Sequence, residues 1–186
     1  MSKFLVIAEK PSVAQSYAKN LSAYKREDGY LEGESCIVSW CLGHLAEYAQ
    51  PEEYDPKYEK WQFDDLPILP EAWKLKVSKD KKKQFEVIKT LMNRSDVEYL
   101  VNGCDAGREG ELIFQRVYVL AGCRKPVKRL WISSMEDAAI QKGFQTMKSE
   151  EEYKNLCMAA VCRAQADWLI GMNGTRAYTT RYFKRL

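Results

Sequence analysis

The sequence predicts an α/β fold: a parallel sheet flanked by helices. Three observations carry this reading. Short apolar runs recur along the chain, at Phe4-Leu5-Val6-Ile7-Ala8, Cys36 to Trp40, Val97 to Asn102 and Val127 to Ile132. The first run is apolar throughout rather than alternating, which suits a strand covered on both faces. Segments with apolar residues at helical spacing separate several of these runs, and strands that alternate with helices argue for a parallel sheet. Finally, the first and third runs end abruptly in loops rich in acids, cations or glycine.

Taken in order, the first strand ends at Glu9-Lys10-Pro11-Ser12. Pro11 suits the first turn of a helix, and Val13, Tyr17 and Leu21 then recur every four residues. Residues 24–34 are polar and turn-like around Asp28-Gly29. Residues 43–78 are rich in Pro, Tyr and Trp with weak periodicity, which predicts a long, mostly irregular excursion. Such a loop within a compact domain is usually functional. The basic run Lys79 to Lys83 leads into a helix face of Phe85, Ile88 and Met92. The strand Val97 to Asn102 ends at Gly103-Cys104-Asp105-Ala106-Gly107-Arg108-Glu109-Gly110-Glu111. A helix with Leu112, Ile113, Arg116, Val117 and Leu120 follows. After the strand Val127 to Ile132, Ser133 with Glu136 forms a capping-box signature for a helix carrying Ile140, Phe144 and Met147. Residues 150–186 break the alternation. They read as a long helix from about Glu151 to Ile170 and a polar tail ending at Arg185-Leu186.

With 186 residues, 46% of them hydrophobic, the chain is long enough for one domain with a real core plus an appendage. The net charge of +3 is too mild to indicate nucleic-acid binding by itself, because local clustering matters more than the sum. No apolar run follows a basic start, so no signal peptide is expected. No stretch approaches the roughly 18 apolar residues of a membrane helix, so no membrane partner is expected. Six cysteines and one histidine, His44, offer no C-x-x-C pair. That spacing argues against zinc and suits reduced thiols in a cytoplasmic protein.

Ligands of open parallel sheets gather at the carboxyl ends of the strands. Two strands here end in acids: one gives Glu9 beside Lys10, the other gives Asp105, Glu109 and Glu111 around Arg108 and two glycines. Asp105 and Glu109 are placed to face one cation, and hard magnesium takes a few carboxylates plus water and phosphate. Such a cluster beside Lys10 and Arg108 is what phosphodiester chemistry needs, since cations offset developing charge and a carboxyl can move a proton. The plainer alternative leaves Glu9 and Lys10 as solvated loop residues and Asp105 as a helix cap. There is no G-x-x-x-x-G-K phosphate loop and no G-x-S-x-G, and one histidine leaves little room for a Ser-His-Asp triad.

The segments Ile7-Ala8-Glu9-Lys10-Pro11-Ser12-Val13-Ala14 and Asp105-Ala106-Gly107-Arg108-Glu109-Gly110-Glu111 together resemble the TOPRIM domain of type IA DNA topoisomerases, most like the bacterial topoisomerase III branch. Gly43-His44-Leu45, Tyr54-Asp55-Pro56-Lys57-Tyr58, Arg163-Ala164-Gln165-Ala166-Asp167-Trp168-Leu169 and Asn173-Gly174-Thr175-Arg176-Ala177-Tyr178-Thr179 resemble it too, so the likeness spans essentially the whole chain. The resemblance implies a TOPRIM domain over residues 1–150 and, over 151–186, the start of a helical domain that lines a groove for single-stranded DNA. It implies that Glu9 sits near the scissile phosphate and assists proton transfer, that Lys10 stabilises the charged transition state, and that Arg108 supports phosphate or the acids. Glu9, Asp105 and Glu109 become the magnesium site, and Arg163, Asp167 and Arg176 the DNA contacts. The family usually has D-x-D where this chain has Asp105-Ala106-Gly107, so the second carboxylate is missing. The cutting tyrosine belongs to a later domain of the family, so none is expected here, Tyr178 included, and the remaining domains of the same polypeptide become a partner.

Two other readings use the same residues. A TOPRIM nuclease or primase shares the acidic strand ends but fits the excursion and the tail motifs poorly. A non-enzymatic nucleic-acid module would rely on Lys79 to Lys83 and Arg176 to Arg185 as basic patches, which are otherwise solvated faces.

Overall fold

The computed structural model describes residues 2–182. Its centre is β1 (Lys3–Ala8), which pairs in parallel with β4 (Cys36–Trp40) on one side and β7 (Val97–Gly103) on the other. The full sheet has the order β2-β3-β4-β1-β7-β8-β9, with β2 at Lys25–Glu27, β3 at Tyr30–Glu32, β8 at Val127–Arg129 and β9 at Lys148–Ser149. The β7–β8 pair is also parallel, whereas β2, β3 and β9 join antiparallel at the edges. The expected parallel sheet is therefore present at the centre and mixed at its rims.

Alternate residues of β1 serve opposite faces, as the strand period requires. Leu5 and Ile7 pack with Phe85, Ile88 and Leu91 of α2 (Lys82–Met92) and with Ile113, Phe114 and Val117 of α3 (Arg108–Ala121). Val6 and Ala8 pack with Ala14, Tyr17 and Ala18 of α1 (Pro11–Asn20) and Ile140 of α4 (Asp137–Gln145). Helices thus cover both faces, which is why β1 carries no polar side chain between Phe4 and Ala8.

Four details depart from the sequence reading. Residues 24–34 contain the hairpin β2–β3, whose polar strands sit at the sheet edge where burial is slight. β8 stops at Arg129 rather than Ile132. Ser133 does not cap a helix: α4 begins at Asp137 with Glu136 as its N-cap, and the Ser134 hydroxyl accepts the Glu136 N–H at 3.3 Å. The last helix, α5, runs Lys154–Tyr182, well past Ile170, so the described part of the tail is helical; residues 183–186, with the end of the second basic patch, lie outside the described residues.

The excursion over 43–78 is mostly irregular, as expected, apart from three 3-10 turns and the antiparallel pair β5 (Ala46–Tyr48) and β6 (Leu75–Val77). It forms its own apolar cluster with α5: Tyr48, Ile68 and Trp168 are buried together. Trp168 Nε1 donates to Ala49 O at 3.1 Å, and the Asn173 amide both donates to Ile68 O and accepts from Ile68 N.

Candidate functional site

Parallel pairing of β1 with β7 sets Ala8 opposite Gly103, so the two acidic loops leave the sheet side by side. Glu9 Oε2 accepts the Asp105 N–H at 3.4 Å. The Glu9 side chain is only 12% exposed, so it is not a solvated loop residue, whereas Lys10 beside it is 58% exposed and its Nζ lies 4.0 Å from Glu9 Oε1. Asp105 does not cap α3: Gly107 is the N-cap, with no side-chain cap bond. Gly110 has a different task, because a Cβ there would meet the Asp105 carbonyl oxygen at 2.1 Å. Only glycine lets the first turn of α3 approach the strand end so closely. Gly107 by contrast faces open space.

The loop and the start of α3 open into a cleft of about 860 Å³ lined by Asp105, Gly107, Arg108, Glu109, Arg163 and Asp167, among others. His44 also lines it, its Nε2 2.5 Å from Glu109 Oε1, while Lys81 Nζ donates to His44 O at 2.8 Å. Glu109 stands in the first turn of α3, where the helix dipole favours a carboxylate. Arg163 and Asp167 face the cleft from α5, exposed, with Nε and Oδ2 3.6 Å apart. Two strand ends, one helix start and one helix face are therefore brought together.

Glu9 and Lys10 stand at the strand end next to Asp105 rather than in the cleft lining. Arg176 is elsewhere: it is 5% exposed, donates to Tyr58 O at 2.9 Å, and its guanidinium lies 4.9 Å from the Trp61 ring centroid. There it fastens α5 to the excursion. Among the described residues no three His, Cys, Asp or Glu side chains converge as a ready metal cage.

The sequence model of the Toprim domain matches residues 4–135. This chain belongs to the Toprim-domain family. Among its curated relatives, DNA topoisomerase 3 of Bacillus subtilis (strain 168) is 50% identical over 186 residues, covering 100% of this chain and 26% of the relative. DNA topoisomerase 3 of a Bacillus cereus strain is 51% identical over the same span and the same shares. The chain thus spans about a quarter of the length of these relatives. Full-length topoisomerase I from Thermotoga maritima superposes with a TM-score of 0.60 at 18% identity, over 89% of this chain and 24% of that one, which shows the shared fold. The resemblance read from the Glu9-Lys10 and Asp105–Glu111 segments is borne out.

Beneath the acidic loop lies a buried charged group of which the sequence reading had named only Glu111. Arg129, with 0% side-chain exposure, ends β8 directly beneath the Asp105 loop, and its Nε donates to Glu111 Oε1 at 2.5 Å. Glu111 is equally buried and also accepts from Asn102 Nδ2 at 3.3 Å. Glu150, at the base of α5, faces the same group. Burial and the Glu111 charge push its carboxyl up to about 7, and its Oε2 has no hydrogen-bond partner among the described residues. The Cys41 thiol hydrogen-bonded against it, together with burial, raises the Cys104 thiol beneath the loop well above its usual range. The one available signal was Glu111's place in the acidic run, two residues beyond Glu109 and so on a different side of α3.

Proposed function

We propose that this chain is the acidic, cation-dependent N-terminal part of a topoisomerase III-like type IA enzyme, one that cuts a single DNA strand, passes another and reseals it. In this reading residues 1–150 are the Toprim domain and 151–186 begin the helical DNA-groove domain. The observation that carries it is the cleft where Asp105, Arg108 and Glu109, at the turn from β7 into α3, face Arg163 and Asp167 of α5. A strand lying there meets acids, cations and a polar helix face at once. The cutting tyrosine belongs, on this reading, to a part of the enzyme beyond this chain, and the exposed Tyr178 is not used for it. The relatives' printed function, and their length, support both points. The cytoplasm is the proposed location, which suits six free cysteines.

Asp105 and Glu109, with Glu9 close behind, are the residues that would hold Mg2+. The fit is chemical: the donors are carboxylate oxygens, and the space facing Gly107 is open. A pair of carboxylates is enough, because Mg2+ usually keeps water and takes its other contacts from phosphate. When bound, the ion offsets charge on the phosphate oxygens.

The protein's own groups supply the rest. Lys10 reaches the edge of the sheet with an exposed ammonium near Glu9, and a cation there stabilises the transition state more than the ground state. Glu9, mostly buried and anchored by the Asp105 N–H, can hold or move a proton at the leaving oxygen. Arg108 presents a fork suited to phosphate. Among the described residues Arg163 is tied only to Asp167, in a surface pair worth about 0.3–0.5 kcal/mol, so it can turn to a phosphate at little cost.

The test is salt-dependent binding of a labelled single-stranded oligonucleotide to the chain. Binding should weaken with salt, and Arg163→Ala should reduce the slope of log affinity against log salt by about 1. No binding at low salt, or magnesium-dependent hydrolysis of the strand by the chain alone, would overturn the reading in favour of a non-DNA role or a nuclease.

A further inference from the structure

We propose that Arg129 is a positioning residue: its buried guanidinium fixes the backbone of Asp105 and thereby the carboxylate that meets the cation. The proposal rests on the magnesium-site reading above.

Arg129 directs nearly all of its donors at the strand end that carries the acids. Nη2 donates to Asp105 O at 2.8 Å. Nη1 donates to Cys104 O at 2.7 Å, to Asn102 O at 3.0 Å and to Leu130 O at 2.8 Å. Nε takes Glu111, and the Trp131 ring lies 5.0 Å from the guanidinium carbon. Together with the Glu9 bond to Asp105 N and the close approach of Gly110 to Asp105 O, the peptide of Asp105 is held from three directions. Its side chain nevertheless projects into the solvent-exposed cleft. A rigid backbone under a free carboxylate is the arrangement a cation ligand needs, because a ligand held in place loses little freedom on binding.

Stability alone does not account for this arginine. Burying a guanidinium costs several kcal/mol of desolvation, and a well-packed apolar pair of the same volume is often as stable or more so. What an apolar pair cannot do is hold the carbonyl groups of Asn102, Cys104 and Asp105 at fixed spacing. Lysine cannot do it either, since its compact ammonium lacks the planar fork.

The experiment is a calorimetric Mg2+ titration of the chain, paired with a thermal melt, for wild type, Arg129→Lys and Glu111→Gln. Arg129→Lys should bind Mg2+ ten- to a hundredfold more weakly, the usual range for losing an outer support of a metal ligand. Glu111→Gln keeps the fork on the carbonyls. It should melt earlier yet bind within about twofold of wild type. Unchanged affinity in a folded Arg129→Lys overturns the proposal. So does a loss in Glu111→Gln that equals the loss in Arg129→Lys, which would make the effect one of stability. Should Arg129→Lys fail to fold, Glu111→Gln decides: retained affinity at a lowered melting temperature supports the proposal, and lost affinity sinks it. A wild-type chain that takes up no Mg2+ removes the magnesium reading itself, an outcome distinct from a failure of Arg129.

Discussion

His44 Nε2 sits 2.5 Å from Glu109 Oε1, so the single histidine of the chain occupies a carboxylate oxygen that a cation would also use. The two partners come from the loop after β4 and from the first turn of α3, and their side chains are 39% and 67% exposed. If Glu109 holds the proposed cation, the contact competes with it. Removing a modest, exposed hydrogen bond is worth roughly 0.5–1 kcal/mol. His44→Ala should therefore tighten Mg2+ binding by about two- to fivefold in a calorimetric titration. Weakened binding would show instead that the imidazole orients Glu109 for the metal.

Lys10→Ala in the full-length enzyme should abolish most single-turnover strand cleavage while sparing the fold. Loss of one fixed transition-state contact costs roughly 3–4 kcal/mol, a few hundredfold in rate. The thermal melt should barely move, because Lys10 is largely exposed and its one ionic contact is Glu9 at 4.0 Å. Near-normal cleavage would take Lys10 out of the mechanism.

Gly107 and Gly110 stand three residues apart in one motif and should respond oppositely to a side chain. Gly110→Ala drives a methyl group into the Asp105 carbonyl, and overpacking of that kind costs about 1–3 kcal/mol or more. Gly107 has φ 164°, an extended backbone that any residue adopts, with nothing near its missing Cβ. Gly107→Asp should fold normally and raise Mg2+ affinity or stoichiometry by restoring a carboxylate beside Asp105 and Glu109. Equal melts for the two variants would contradict this account of the loop.

Glu150 makes stability depend on pH in a defined direction. Its carboxyl titrates near 4.5 in the unfolded chain and near 7 in the folded one. Between those values the folded state keeps a proton that the unfolded state has released. The stabilisation is fully present below about pH 4.5 and is lost as pH rises through 7. Because Glu150 is only half-buried, the effect should be nearer 1–2 kcal/mol than the full roughly 3 kcal/mol of the shift. Glu150→Gln should be more stable than wild type at pH 8 and equal to it at pH 4.5. Parallel stability curves for the two proteins would remove Glu150 from this role.

The sequence made β1, β7 and their acidic ends readable because those strands are buried on both faces and their loops concentrate charge. The hairpin at 24–34 was not readable: Lys25-Arg26-Glu27 has the composition of a solvated turn and becomes a strand only because β3 and β4 offer it an edge. α5 crosses Gly171 and Gly174, which by propensity should end a helix. Tertiary anchors at Trp168, Asn173 and Arg176 carry it through. Arg176, read as a DNA contact by resemblance, is one of these anchors and donates to Tyr58 O. Glu111 was read only as part of the acidic run and Arg129 not at all, since nothing local announces that two such residues 18 positions apart will be buried as a pair.

The excursion over 43–78 has a mechanical consequence. At 1.5 Å per residue, the 29 residues of α5 make a rod about 43 Å long. Its base lies against Glu111 and α3, and its middle is bolted to the excursion at Trp168, Asn173 and Arg176. The excursion is in turn tied to the cleft wall through β5, where Arg116 of α3 donates to Ala46 O at 3.2 Å. The rod, the excursion and α3 therefore form one braced frame, and the residues that line the cleft from α3 and from α5 are held by the same set of contacts.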